Sequence, residues 1–168
     1  LGAVDAERVR AVRKARPDAW MGVDANQGFT PASLTALMPD LVACKVKLVE
    51  QPFARGREVD LDGFRCPIPV AADESVQGLA DIEPLVGRFD IVNIKLMKTG
   101  GISNAVKIAD ICGLYGVDCM IGCMLESSIG VAAAVHLAVA KSDVISKVDL
   151  DGPSLCRFDP VSSGVIFN

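Results

Sequence analysis

Short apolar runs rich in β-branched residues alternate with stretches of helical periodicity along this chain. Residues 6–16 read as a charged amphipathic helix, with Asp5 as its N-cap and Pro17 as its stop. A short strand over 19–23 ends at Asp24. Pro31 opens a helix through 44 that Pro39 is expected to interrupt, because proline removes an N–H and its ring collides with the preceding turn. Strands follow over 46–49, ending at Glu50 and stopped by Pro52, and over 68–72, ending at Asp73. A short helix at 79–86 leads to a strand over 91–94 that ends at Lys95. Next come a helix over 102–115 capped by Gly116, a strand over 118–121, an alanine-rich helix over 127–141, and a strand over 145–148 ending at Asp149.

These strands are apolar on both faces, as buried parallel strands are. Alternation of this kind builds either a doubly wound sheet or a closed α/β barrel. The charged strand ends Asp24, Glu50, Asp73, Lys95 and Asp149 favour the barrel, where all C-terminal strand ends meet on one face. A doubly wound sheet concentrates its chemistry at one switch point, and no glycine-rich nucleotide motif stands in the sequence to mark one. A closed barrel has eight strands. The six counted here are therefore read as strands 3 to 8, the C-terminal part of a (β/α)7β barrel over residues 1–168. The chain opens at Leu1-Gly2 without an initiator methionine and enters a helix almost at once, which suggests a piece of a longer protein.

Composition narrows the partners. Hydrophobic residues make up 51% of the chain, which excludes disorder, and the net charge of −4 gives no support for nucleic acid or an anionic membrane surface. The longest apolar run, near 130–140, is interrupted by His136 and is too short to span a bilayer. His136 itself reads as a packing residue of its helix. Residues 1–10 lack the basic-then-apolar order of a signal peptide. The six cysteines form no CxxC pair, and one histidine does not complete a zinc cluster, so they read as reduced core residues of a cytoplasmic protein. The oligomeric state is left open, a homo-oligomer included.

Three carboxylates at successive strand ends repel one another unless a cation neutralises them. A donor set of Asp24, Glu50 and Asp73, all oxygen and with no His or Cys, points to a hard divalent ion, Mg2+ above all. Each acid read singly is a helix cap or an ion-pair partner; the series at equivalent positions argues for the metal. Asn26 either orients a ligand at the same mouth or is an ordinary loop residue before Gly28, and Glu74 is either a partner of Asp73 or an exposed acid. Lys95, beside such a cluster, is placed to act as a base on a carbon acid. Lys98 is assigned to the loop before Gly100-Gly101, a pair that permits a tight turn into the next helix. Asp149 and Asp151 alternate on the last strand and so share one face, where a pair of acids away from a metal suits a substrate ammonium. Met124 and Glu126, following Gly122, belong to the mouth of the preceding strand.

Asp24-Ala25-Asn26, Val49-Glu50-Gln51-Pro52, Ala72-Asp73-Glu74-Ser75 and the run from Asn93 to Gly101 resemble the enolase superfamily, muconate-lactonizing subgroup, in order and spacing over nearly the whole chain. Within it, Gly122-Cys123-Met124-Leu125-Glu126-Ser127 with Asp149-Leu150-Asp151 is most similar to the dipeptide epimerases, L-Ala-D/L-Glu epimerases among them. The resemblance implies magnesium on Asp24, Glu50 and Asp73, and Lys95 as one of two acid/base lysines in a 1,1-proton transfer at an α-carbon through an enediolate. Met124, Glu126 and Asn26 would line the dipeptide site, and Asp149 and Asp151 would hold its ammonium group. The family's other lysine comes from a Lys-x-Lys motif on the second strand; that motif and the N-terminal capping domain would precede Leu1. The rivals are o-succinylbenzoate synthase, N-acylamino acid racemase and muconate cycloisomerase of the same subgroup, whose substrates carry no free ammonium, and a non-catalytic barrel fragment.

Overall fold

A computed structural model describes residues 3–162. The chain forms two compact units, one of residues 3–75 and 87–90, the other of Val76–Val86 and 91–162.

In the first unit, α1 (Ala3–Ala15) packs on α2 (Pro31–Ala43), and strands β1 (Gly22–Asp24), β2 (Leu48–Glu50) and β3 (Val70–Ala72) run parallel, paired in chain order. Thr30 caps α2: its Oγ1 accepts the Ser33 N–H at 3.2 Å, and its own N–H donates to Ser33 Oγ at 2.9 Å. Pro39 lies inside α2 without ending it. An interior proline costs about 3 kcal/mol, whereas Leu34, Leu37 and Leu41, all buried around it, contribute about 1.5–3 kcal/mol each. Burial wins, and the expected interruption does not occur. Asp5 also falls otherwise than expected, within the first turn of α1 rather than before it. An acid there still complements the positive end of the helix dipole.

In the second unit, a 3-10 turn at Leu79–Asp81 runs into α3 (Ile82–Leu85), splitting the helix expected over 79–86. Strand β4 (Ile91–Lys95) then leads into α4 (Leu96–Thr99), α5 (Ile102–Tyr115), β5 (Asp118–Gly122), α6 (Ser128–Ala140) and β6 (Ile145–Asp149). These three strands are also parallel and paired in chain order. Helix α5 packs against β4 and β5, and buries Ala105, Ile108, Ala109 and Cys112. Gly116 ends it at φ 68°, with its N–H on the Cys112 and Gly113 carbonyls. That left-handed backbone is strained for any residue with a Cβ. Gly100 at φ 82° and Gly101 at φ 90° make the turn between α4 and α5. Lys98 stands in the single turn of α4 rather than in a loop, and its Nζ donates to the Asn93 carbonyl at 3.1 Å.

β1, β2 and β3 are shorter than their apolar runs. Met21, Val46 and Ile68 are buried but lie outside the strand bounds, because apolar patterning reports burial and not the limits of a strand. All six cysteines are free thiols, with Cys44, Cys112 and Cys119 buried and Cys66, Cys123 and Cys156 half-buried. His136 is exposed on α6 rather than packed. No helix among the described residues is long and apolar enough to cross a membrane.

Candidate active site

The parallel register decides which side chains share a face. Asp24 is the register partner of Glu50, and Glu50 of Ala71. Asp73 lies two residues beyond Ala71, in the bend that follows the end of β3. All three acids thus stand at or just past the C-terminal ends of neighbouring strands of the first unit. Glu50 and Asp73 are 8% and 6% exposed, whereas Asp24 is exposed. Asp24 Oδ1 accepts the Asn26 N–H at 2.8 Å as the chain turns through Asn26 and Gln27, both at positive φ. That Asx-type turn draws the Asp24 carboxylate toward the surface. Asn26 is exposed and contributes this backbone donor. Among the described residues, no three His, Cys, Asp or Glu side chains are gathered closely enough to hold a metal ion. The register sets Asp24 level with Glu50 and leaves Asp73 two residues beyond the partner of Glu50. As a donor set they fit a hard divalent cation, being three carboxylates with no thiolate or imidazole among them.

One residue of this site escaped the sequence reading. Gln51 follows Glu50 at φ 36° and is 1% exposed. Its Nε2 donates to the Phe53 carbonyl at 2.9 Å and to Ser75 Oγ at 2.8 Å. Its Oε1 accepts the backbone N–H groups of Asp73 at 2.9 Å and Ser75 at 3.1 Å. A single buried amide therefore ties the turn after Glu50 to the turn that carries Asp73. Ser75 Oγ donates onward to Glu58 Oε1 at 2.7 Å, which also accepts the Gly56 N–H at 2.9 Å. Burial works against the Glu58 charge, but these hydrogen bonds outweigh it and hold its carboxyl below the usual glutamate range. The one sequence signal was the polar residue wedged between Glu50 and Pro52.

In the second unit, Lys95 on β4, Gly122 on β5 and Asp149 on β6 form one register row. Lys95 is half-buried and Asp149 is exposed. Glu126, half-buried, folds back so that its Oε1 accepts the Met124 N–H at 3.1 Å, leaving the Met124 side chain exposed. Asp151 is not on the strand. β6 ends at Asp149, and Asp151 has helical backbone angles (φ −82°, ψ −2°) at the start of a 3-10 turn over Gly152–Leu155. The expected alternation therefore stops at the strand end, where Pro153 favours a turn. Its carbonyl, not its carboxylate, holds that turn by accepting from Ser154 N and Oγ.

This chain belongs to the family described as enolase C-terminal domain-like, whose model matches residues 2–166. That membership bears out the expected α/β barrel class, and parallel strands alternating with helices are found in both units. It is 42% identical to the L-Ala-D/L-Glu epimerase of Clostridium acetobutylicum, over 98% of this chain and 48% of that protein. It is 40% identical to an N-acetyl-D-glutamate racemase from a Pseudoalteromonas species, over 90% of this chain and 47% of that protein. Among solved structures, it is similar to the dipeptide epimerase of Enterococcus faecalis complexed with Mg and the dipeptide L-Leu-L-Tyr. That match has a TM-score of 0.92 and 39% identity, covering 99% of this chain and 49% of that one. The chain spans about half the length of the relatives it matches.

Proposed function

We propose that the full-length protein carrying this chain is a magnesium-dependent dipeptide epimerase, inverting an α-carbon in substrates of the L-Ala-D/L-Glu type. The observation that carries this reading is the row of Lys95, Gly122 and Asp149 on three neighbouring strands. It sets a base and an acid on one face, about 10 Å apart at their backbones by strand spacing. A dipeptide would span that distance. Asp149, with Asp151 just beyond, would hold the ammonium, and the next α-carbon, about 3.8 Å along the chain, would face Lys95.

Asp24, Glu50 and Asp73 would hold the metal, with Gln51 fixing the turn that carries Asp73. Magnesium, when bound, would neutralise the substrate carboxylate and stabilise the negative charge that develops as the α-proton leaves. Lys95 would take the proton on one face or return it there. Inversion needs a second base on the opposite face. Met124, exposed at the end of β5, and Glu126 beside it would border the dipeptide side chains. Free thiols throughout suit a reducing compartment such as the cytoplasm.

A second reading, racemisation of an N-acylated amino acid, is favoured by the similarity to the N-acetyl-D-glutamate racemase. Such a substrate has no ammonium for Asp149 and Asp151. The deciding experiment incubates the full-length protein and Mg2+ in deuterium oxide with a dipeptide library and, separately, with N-acetyl amino acids. Deuterium at the α-carbon of dipeptides is the expected result. Exchange confined to the N-acetyl series would replace the dipeptide reading by the racemase one, and no exchange in either would remove both.

A further inference from the structure

Gly122 is the last residue of β5, stands between Lys95 and Asp149 in their register row, and is buried. A Cβ built on it would lie 2.7 Å from Asn93 Oδ1 and 3.0 Å from Lys95 Cε. Gly122 does not occupy the left-handed region, so no turn explains the glycine here. Glycine weakens a strand interior and commonly marks a place where another group must come close. The groups that come close here are the far ends of two side chains from β4, and one of them is the proposed base.

We infer that Gly122 is a positioning residue for Lys95. The missing side chain leaves a hollow on β5, and the end of the lysine stem from β4 lies against it. Asn93, two residues earlier on the same strand face, fills the hollow from below. A methyl group at position 122 would collide with the lysine stem and the Asn93 amide, and not with backbone. Flexible side-chain ends move before a buried strand does. The substitution should therefore leave the fold in place and displace the ammonium. Misplacing a reacting group by about 1 Å costs on the order of 100-fold in rate.

This inference rests on the proposed epimerase reading, and its test separates the two. A lysine serves one face of the α-carbon. Displacing it should slow exchange of the α-proton from one epimer of a dipeptide and spare the other. In the full-length protein with Mg2+ in deuterium oxide, wild type, Gly122→Ala and Lys95→Ala are compared on both epimers, starting from each in turn and measuring initial deuterium incorporation before epimerisation. The expected result is that Gly122→Ala slows one epimer by about 100-fold, the same epimer that Lys95→Ala affects most, and changes the other by less than about 5-fold. Equal slowing of both epimers would mean a general packing defect and would overturn the inference, as would unchanged exchange of both. Exchange from neither epimer in wild type would instead overturn the epimerase reading, and the inference with it. Should Gly122→Ala not fold, the Asn93→Ala, Gly122→Ala double variant removes the nearer contact and carries the same comparison against Asn93→Ala alone.

Discussion

Replacing Gln51 by leucine tests the clamp on the turn that carries Asp73. Leucine keeps much of the volume of glutamine and removes every polar contact. Four hydrogen bonds go: two donated by Nε2, to Phe53 O and Ser75 Oγ, and two accepted by Oε1, from the Asp73 and Ser75 N–H groups. The site is 1% exposed, so water does not readily replace them. An orphaned buried donor costs about 1–3 kcal/mol, and two N–H groups are orphaned on Asp73 and Ser75. The local loss is therefore about 2–6 kcal/mol, set against a whole-domain stability of about 5–15 kcal/mol. Hydrogen exchange reads it directly, because the two amides are protected by the very atom removed. At about 1.4 kcal/mol per tenfold, exchange of a peptide covering Asp73 to Ser75 should accelerate by at least about 30-fold. Peptides from β4 and α5 should change far less. Acceleration under about 3-fold at Asp73 and Ser75 would show that these amides do not depend on Gln51, and the clamp argument would fail. Binding of Mg2+ to the full-length protein, measured by calorimetry, should weaken in parallel.

Asp73→Asn should weaken Mg2+ binding and abolish turnover, since it removes one anionic donor from the proposed set; near-normal activity at low magnesium would contradict the assignment. Asp151→Asn should raise KM for dipeptides by about 10- to 100-fold, the scale of one charged hydrogen bond. It should leave an N-acylated dipeptide much less affected, whereas equal losses on both would point to a disturbed turn. Glu58 gives a pH dependence. Its carboxyl is held below the usual glutamate range in the folded state, so its contribution is fully present above that range and is lost as pH falls through the depressed value. Thermal melts at decreasing pH should show this loss in wild type and less of it in Glu58→Gln; matching slopes would remove Glu58 from the network.

The order of elements was legible from the chain alone. Helical and strand periodicities alternate strongly, and glycines and prolines punctuate them. The helix over Ile102–Tyr115 with its Gly116 cap was read to the residue, because an apolar face and a left-handed stop are local properties. The acids at the strand ends were visible for the same reason, since each interrupts an apolar run. Pro39 departs from its local expectation because a proline's penalty is visible in the sequence, whereas the burial of the three leucines that outweighs it is not. Asp151 was placed on a strand because alternation in sequence does not say where pairing ends.

What the tertiary structure alone decided is register and what lies across from a residue. That Asp24 and Glu50 stand level while Asp73 is set further along follows from parallel pairing. Pairing is a contact between segments far apart in the chain and leaves no mark in either one. In the sequence Gln51 is only one residue of the motif from Val49 to Pro52, and the fold alone brings its amide to Ser75, 24 residues on. Gly122 read as a small residue at a strand end until its row neighbours appeared, Lys95 on one side and Asp149 on the other. The chain determines which chemical groups are available at which element ends. Only the folded backbone determines which of them meet, because that depends on distances between residues the sequence keeps apart.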